Sequence, residues 1–308
     1  MKQVASLRYG VIFKKAFCVP EIFTGFVRDL LNVKLEIDTV ETEKSFSYQV
    51  GRVASRFDLF AEDKQNRIIV DIQHARYRDH DRFLHYYSVN ILLTGAGVQD
   101  LSWKRPKLKF GLQQVPVKTK LTEYYHCAAL LEQIINADNY RPELKVFTIV
   151  VLTSGDKHKK DVSMIDFDPK DLKGNPLGEI PHKMIYICPK YRDDDTPKAY
   201  QEWMRAIQDS LDEQVEENDY TVAEVRKNFD YIEKDKVSPE ERAQMFDEYN
   251  EEQLKQDKFE EGLKKGIKEG AEKNTEKMAK EMLRKKMEIS LISEITELPH
   301  EVITQWQA

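Results

Sequence analysis

The chain has 308 residues, 41% hydrophobic and 33% charged, enough to bury a core while leaving part of the sequence as solvated helix. Its net charge of -6 is uneven: residues 1–200 carry +5 and residues 201–308 carry -11, which excludes the acidic part as a nucleic-acid footprint, since phosphate contacts need Lys and Arg. Cys18, Cys127 and Cys188 form no CxxC pair, which argues against a zinc knuckle or a disulfide framework and suits a reducing cytoplasm. No stretch approaches the roughly 18 apolar residues of a membrane span, and MKQVASLRYGVIFKK holds no signal-peptide run.

Three parts are expected along the chain: residues 1–200, mixing strands and helices; residues 201–255, acidic and helical, with Trp203, Ile207 and Leu211 four apart; and residues 256–308, a charged helix followed by a small helix-turn-helix-like tail. In the first part, Pro20 to Leu31 reads as an amphipathic helix with Ile22, Phe23, Phe26, Val27, Leu30 and Leu31 on one stripe. Ile37 to Thr42 alternates like a strand. Arg56 to Glu62 and Arg67 to Gln73 read as two strands joined by the turn Asp63-Lys64-Gln65-Asn66. Asp79 to Leu93 and Leu121 to Ala137 read as helices. Val146 to Leu152 (VFTIVVL) has the continuous apolar run of a strand buried on both faces. Val162 to Phe167 and Lys183 to Cys188 complete an α/β core with a mixed central sheet flanked by helices, and a helical C-terminal extension follows.

The chemistry concentrates in RFDLFAEDKQNRIIVDIQ. Side chains alternate along a strand, so Asp71 and Gln73 share one face and Val70 and Ile72 the other. A hairpin centred on Gln65 and Asn66 sets Asp58 opposite Gln73. A register shifted by two sets it opposite Asp71, on the same face either way. Two carboxylates side by side in a sheet repel, and burial sharpens the repulsion. A hard divalent cation, Mg²⁺ or Mn²⁺, offsets that cost. It would be held by Asp58, Asp71 and the Ile72 carbonyl, and used to activate water on a phosphodiester, with Gln73 orienting the water or the phosphate. The structural alternative is that Asp58 merely pairs with Arg56 or Arg76. His74, His80 and His85 lack zinc-ligand spacing and read as surface or capping residues.

Ser102 to Lys120 holds Lys104, Arg105, Lys107, Lys109, Lys118 and Lys120 with no acid, beside Trp103 and Phe110. It is either a solvated basic loop or an arm that tracks DNA phosphates while an aromatic stacks.

Four motifs in order resemble the PD-(D/E)XK nuclease-family transposases, also called recombination-promoting nucleases. They are VIFKKAF, the RFDLFAEDKQNRIIVDIQ hairpin, YYHCAALLEQIINADNYRPELKVFTIVVL and HKMIYICPKY, spanning about residues 9–192. The resemblance implies a restriction-endonuclease-like fold and Mg²⁺-dependent DNA cleavage, with recombination as an outcome. It carries the metal-ligand role onto Asp58 and Asp71 and the role of the family's lysine onto Gln73. Two departures stand out. Gly10 occupies a position where members often have an acid, leaving Glu21 or another group to substitute, and Ser102–Lys120 reads as an insertion. The alternative is a catalytically inactive DNA-binding or assembly protein that retains the nuclease fold; RNA is a further substrate class that the core motif leaves open.

In the tail, Gly262, Gly266 and Gly270 recur every four residues, beside the i,i+4 pairs Glu260–Lys264 and Glu261–Lys265. This reads either as a solvated linker helix or as a homodimer contact through close glycine faces. ISLISEITELPHEVITQW reads as helix, turn, helix, with Pro299 in the first turn of the last helix and Ile292, Ile295, Leu298, Val302, Ile303 and Trp306 as a small core. Its last helix has no basic residue, so assembly is favoured over DNA contact.

Overall fold

The computed structural model describes residues 1–45, 57–75, 126, 129–130, 133, 144–156 and 158–306. Two compact units are present, Met1–Met245 and Phe246–Ala308.

The first unit is mixed α/β. Its described elements begin with β1 (Lys2–Gln3), α1 (Gly10–Phe17) and α2 (Pro20–Leu31). The sheet strands are β2 (Glu41–Lys44), β3 (Phe57–Glu62), β4 (Asn66–Ala75), β5 (Lys145–Gly155), β6 (Val162–Asp166) and β7 (Lys183–Ile187). They are followed by α3 (Lys198–Ser210), β8 (Gln214–Val215) and α4 (Ala223–Tyr231). Among the described residues the main sheet has six strands in the order β2-β3-β4-β5-β7-β6. β4, β5 and β7 run parallel, while β2 with β3, β3 with β4 and β6 with β7 are antiparallel. β5 lies in the middle, buried without interruption from Val146 to Thr153, as its unbroken apolar run requires.

α2 occupies the span its apolar stripe predicts. Pro20 suits the first helical position, and Asn32 closes the helix in the left-handed conformation (φ 54°). The stripe buries Ile22, Phe23, Phe26, Val27 and Leu30. The segment expected between Ile37 and Thr42 forms a strand only from Glu41, because pairing with β3 starts at Glu41 opposite Phe60. Residues before it are held by packing instead: Leu35 is buried, and Ile37 and Val40 lie partly buried against the core.

One sheet face, carrying Leu59, Val70, Ile72, Ile149 and Ile187, forms a single core with α1, α2, α3 and α4. Trp203 on α3 is its largest buried side chain. Its ring meets Phe26 at 5.2 Å, edge to face, and its Nε1 donates to Asp29 at 2.8 Å. Val225 and Phe229 on α4 join the same core, so the acidic segment after residue 200 packs its apolar stripe there while its charges stay outside. The opposite sheet face carries Phe60, Ile69, Val146, Val150 and Tyr186, with Ala129 packed on the first three.

The second unit contains the greater part of α5 (Pro239–Arg284), with α6 (Ile289–Thr296) and α7 (His300–Thr304). Ala279, Ile292 and Ile303 are fully buried, with Met282, Leu283, Leu298 and Trp306 partly buried around them. Two expectations are corrected here. Ile295 is 50% exposed; Thr296, four residues after Ile292, takes the inward position and satisfies its hydroxyl on the Ile292 carbonyl at 2.7 Å. Pro299 is the N-cap of α7 rather than part of its first turn, its φ of -60° combined with an extended ψ of 145°. Among the described residues no helix is long and apolar enough to cross a membrane.

Candidate functional site

The β3–β4 hairpin is set by its turn. The Asp63 carboxylate accepts the backbone N–H of Gln65 at 2.8 Å and of Asn66 at 2.7 Å, an Asx arrangement that closes the loop at Asn66. These hydrogen bonds hold the Asp63 carboxyl below its ordinary range, against the opposing effect of partial burial, which is the largest single contribution. Glu62 therefore pairs with Arg67, and the register runs Ala61 to Ile68, Phe60 to Ile69 and Leu59 to Val70. Continued by one residue, it sets Asp58 opposite Asp71. Of the two registers compatible with the sequence, the chain adopts the one in which Glu62 pairs with Arg67 and Leu59 with Val70, which points Asp58 toward Asp71 rather than Gln73.

Regular pairing of β3 with β4 ends at Leu59 and Val70. A further step would bring Phe57 opposite Ile72. Instead the Asp58 carboxylate accepts the Ile72 N–H at 3.1 Å. A side chain thus replaces a backbone acceptor where the two strands part. In regular extended strand a residue directs its N–H and C=O to the same side, which would turn the Ile72 carbonyl toward the Asp58 strand as well.

Asp58 is 4% exposed and Asp71 0% exposed. Gln73 shares their face, and its Nε2 donates to the Asp71 carboxylate at 2.7 Å. Thr153 on β5 donates to the Gln73 carbonyl at 3.5 Å, tying this end of β4 to the central strand. The structure therefore brings Asp58, Asp71, Ile72 and Gln73 together. Their donor atoms are all oxygens apart from the Gln73 amide nitrogen, which suits a hard cation such as Mg²⁺ or Mn²⁺. Among the described residues no group of three or more His, Cys, Asp or Glu side chains is placed to hold a metal.

Several surrounding features were not singled out in the sequence. Arg67 is buried, engages Glu62 at 2.6 Å and donates to the Ala129 carbonyl at 2.8 Å, bracing the hairpin against the helical residues on that face. His126, fully buried, meets the Thr148 hydroxyl at 2.8 Å through Nδ1 and stacks on Phe167 at 4.9 Å. Burial, reinforced by the nearby His182, pushes the His126 pKa down to about 3. His182 accepts the Val146 N–H at 3.0 Å through Nδ1, so its ring is the Nε2-protonated tautomer. A charged residue opening a buried strand and a histidine inside an apolar helix were the available signals.

The VIFKKAF residues divide by helix face. Phe13 and Phe17 are buried and stacked at 4.3 Å, Lys14 pairs with Glu43, and Lys15 pairs with Glu241 at 2.7 Å. Further along the chain, the Pro189–Tyr191 turn follows β7. Gly155 there takes a positive φ of 114° that L side chains rarely adopt, and a Cβ would stand 2.8 Å from the Tyr191 hydroxyl. Burial drives the Cys188 thiol up to about 11, which leaves it protonated and inert. The basic segment with Lys104, Arg105, Lys107, Lys109, Lys118 and Lys120 lies outside the described residues, as do the His74 side chain, His80, His85 and the helix expected over Asp79–Leu93.

Compared with protein-family models, curated proteins and solved structures, the chain matches none.

Proposed function

We propose that the first unit is a restriction-endonuclease-like core and that the protein is a Mg²⁺-dependent DNA endonuclease hydrolysing phosphodiester bonds, acting in the cytoplasm and capable of promoting recombination. One observation carries the reading: two buried carboxylates, Asp58 and Asp71, lie on neighbouring strands just past the last paired residues, Leu59 and Val70, where the sheet ladder opens. Such a pair repels unless a cation lies between, and buried acids grouped in this way mark functional sites more often than structural ones.

Asp58 and Asp71 would hold the cation, with the Ile72 carbonyl as a third protein oxygen. The bound cation supplies Lewis acidity toward the phosphate and lowers the pKa of a water. Gln73 fixes the orientation of the Asp71 carboxylate through its amide donor. Asp58 is fixed by the Ile72 N–H. Both carboxylates are thus oriented by β4 itself, which limits reorganisation during reaction. The basic segment Ser102–Lys120 supplies the positive charge that DNA phosphates require.

Incubating supercoiled plasmid with Mg²⁺ tests the assignment. Wild type is expected to nick or linearise it, and Asp71→Asn to be slower by at least about 100-fold, since metal-based charge stabilisation is worth several kcal/mol. Equal cleavage by both would remove the site from the mechanism.

A second reading, a DNA-binding protein that keeps this fold without cleaving, is favoured by one feature: the first turn of α1, beginning at Gly10, contains no acid. Calorimetric titration with Mn²⁺ separates the two. A heat of binding that Asp71→Asn abolishes supports the nuclease; no heat in wild type, with or without DNA, supports the second reading.

A further inference from the structure

We propose that α5 is a self-association surface that joins two copies of this chain antiparallel. From Phe246 to Asn274 no side chain that the structure describes on this helix is buried. Four apolar residues on it are largely exposed: Phe246 at 65%, Tyr249 at 42%, Leu263 at 53% and Ile267 at 65%. Their spacings are three, fourteen and four residues. In a heptad frame starting at Phe246 they fall on the a, d, d and a positions, with Gln253, Gln256 and Glu260 on the core positions between. Leu254, also exposed, lies off this line. An apolar line of this kind on a solvated helix is a mark of an interaction surface.

The glycines point the same way without establishing it alone. Gly262, Gly266 and Gly270 each weaken a helix, and a Cβ at any of them would meet nothing within 4 Å. Among the described residues nothing packs against them. In the heptad frame Gly270 falls on a core d position, where it permits close approach of a second helix, while Gly266 flanks the seam at g and Gly262 lies off it at c.

Charge decides the occupant and its direction. Residues 246–261 carry seven acids and two bases, while residues 264–284 carry seven bases and four acids. The helix is thus acidic along one half and basic along the other, and two copies complement each other only head to tail. A parallel pair would set Glu252 beside the second copy's Asp257, a repulsive g-to-e contact. Two antiparallel helices crossing at Gly262 instead set Asp257 facing the second copy's Lys264 and Glu252 facing its Lys273. Each contact occurs twice by symmetry, as an isologous interface requires.

The mass of the full chain in solution, measured by sedimentation equilibrium, tests the proposal. Wild type is expected as a dimer that dissociates as salt rises from about 0.1 M to about 1 M, which shortens the screening length from about 10 Å to about 3 Å. Lys264→Glu with Lys273→Glu should be monomeric, as should Glu252→Lys with Asp257→Lys. An equimolar mixture of the two variants should return the dimer mass, because every facing pair is then opposite in charge; a misfolded variant could not give this rescue. A chain carrying all four reversals should dimerise by itself. A monomeric wild type, variants that stay dimeric, or a mixture that stays monomeric would each overturn the proposal.

Discussion

The Asp58 carboxylate accepts the backbone N–H of Ile72 at 3.1 Å, in the place where a continued ladder would have offered a carbonyl. One side chain therefore has two tasks. It satisfies a buried backbone donor, and it ties a buried carboxylate to the residue that follows Asp71.

These two tasks separate by substitution. Asp58→Ala leaves the Ile72 N–H buried without its acceptor, and a lost partner of that kind costs about 1–3 kcal/mol. Asp58→Asn keeps an acceptor at the same atom and should stay within about 0.5 kcal/mol of wild type in urea unfolding. Both variants should lose plasmid cleavage alike. Loss of stability without loss of cleavage in Asp58→Ala would show Asp58 to be structural only.

Cation binding should appear as stability before any substrate is added. A ligand that binds only the folded state raises stability by about 2.7 kcal/mol at a concentration 100-fold above its dissociation constant. Wild type should therefore melt at a higher temperature with Mn²⁺ than without. Asp71→Asn should melt at one temperature in both conditions, and without metal it should equal or exceed wild type, since it removes one of two neighbouring buried charges. A melting temperature of wild type that ignores Mn²⁺ and Mg²⁺ would count against the site.

His126 makes the first unit sensitive to acid. Its folded pKa, about 3, lies below the unfolded value of about 6.5 because burial excludes the charged ring. Between those values the unfolded chain binds a proton that the folded chain does not. Stability is full above about pH 6.5 and falls as pH drops toward 3, at up to about 1.4 kcal/mol for each pH unit. Urea unfolding at pH 7, 6 and 5 should show this loss, and His126→Phe should reduce its slope. An unchanged slope in that variant would place the acid sensitivity elsewhere.

Trp203 joins the acidic segment to the core. Trp203→Ala should cost about 3–5 kcal/mol, from lost contact with Phe17 and Phe26 and the loss of the hydrogen bond to Asp29. Trp203→Phe should cost less, keeping most of the ring contact and losing only the donor. Denaturant titration followed by far-UV circular dichroism measures both.

Much of this molecule was written in its local pattern. The α2 stripe, the unbroken apolar run of β5 and the alternation in IIVDIQ each name an element, because burial on one face, two faces or alternate positions requires those spacings. That Asp58, Asp71 and Gln73 share a face followed from strand parity alone. The first sheet strand begins at Glu41 rather than Ile37, since alternation from Ile37 continues whether or not a partner strand is opposite. Ile295 was misassigned because apolar spacing does not reveal which of two inward candidates a short helix will turn to its neighbour.

The sequence by itself determined the parity of the two acids, the buried run of β5 and the division of charge along the chain. The structure decided the register of β3 against β4. That choice depended on the Asp63 side chain closing the turn at Asn66, and on the strands parting after Leu59 and Val70 so that a carboxylate rather than a carbonyl met Ile72. Side-chain hydrogen bonds at the turn and where the strands part set the register, and a period of two cannot tell one even shift from another.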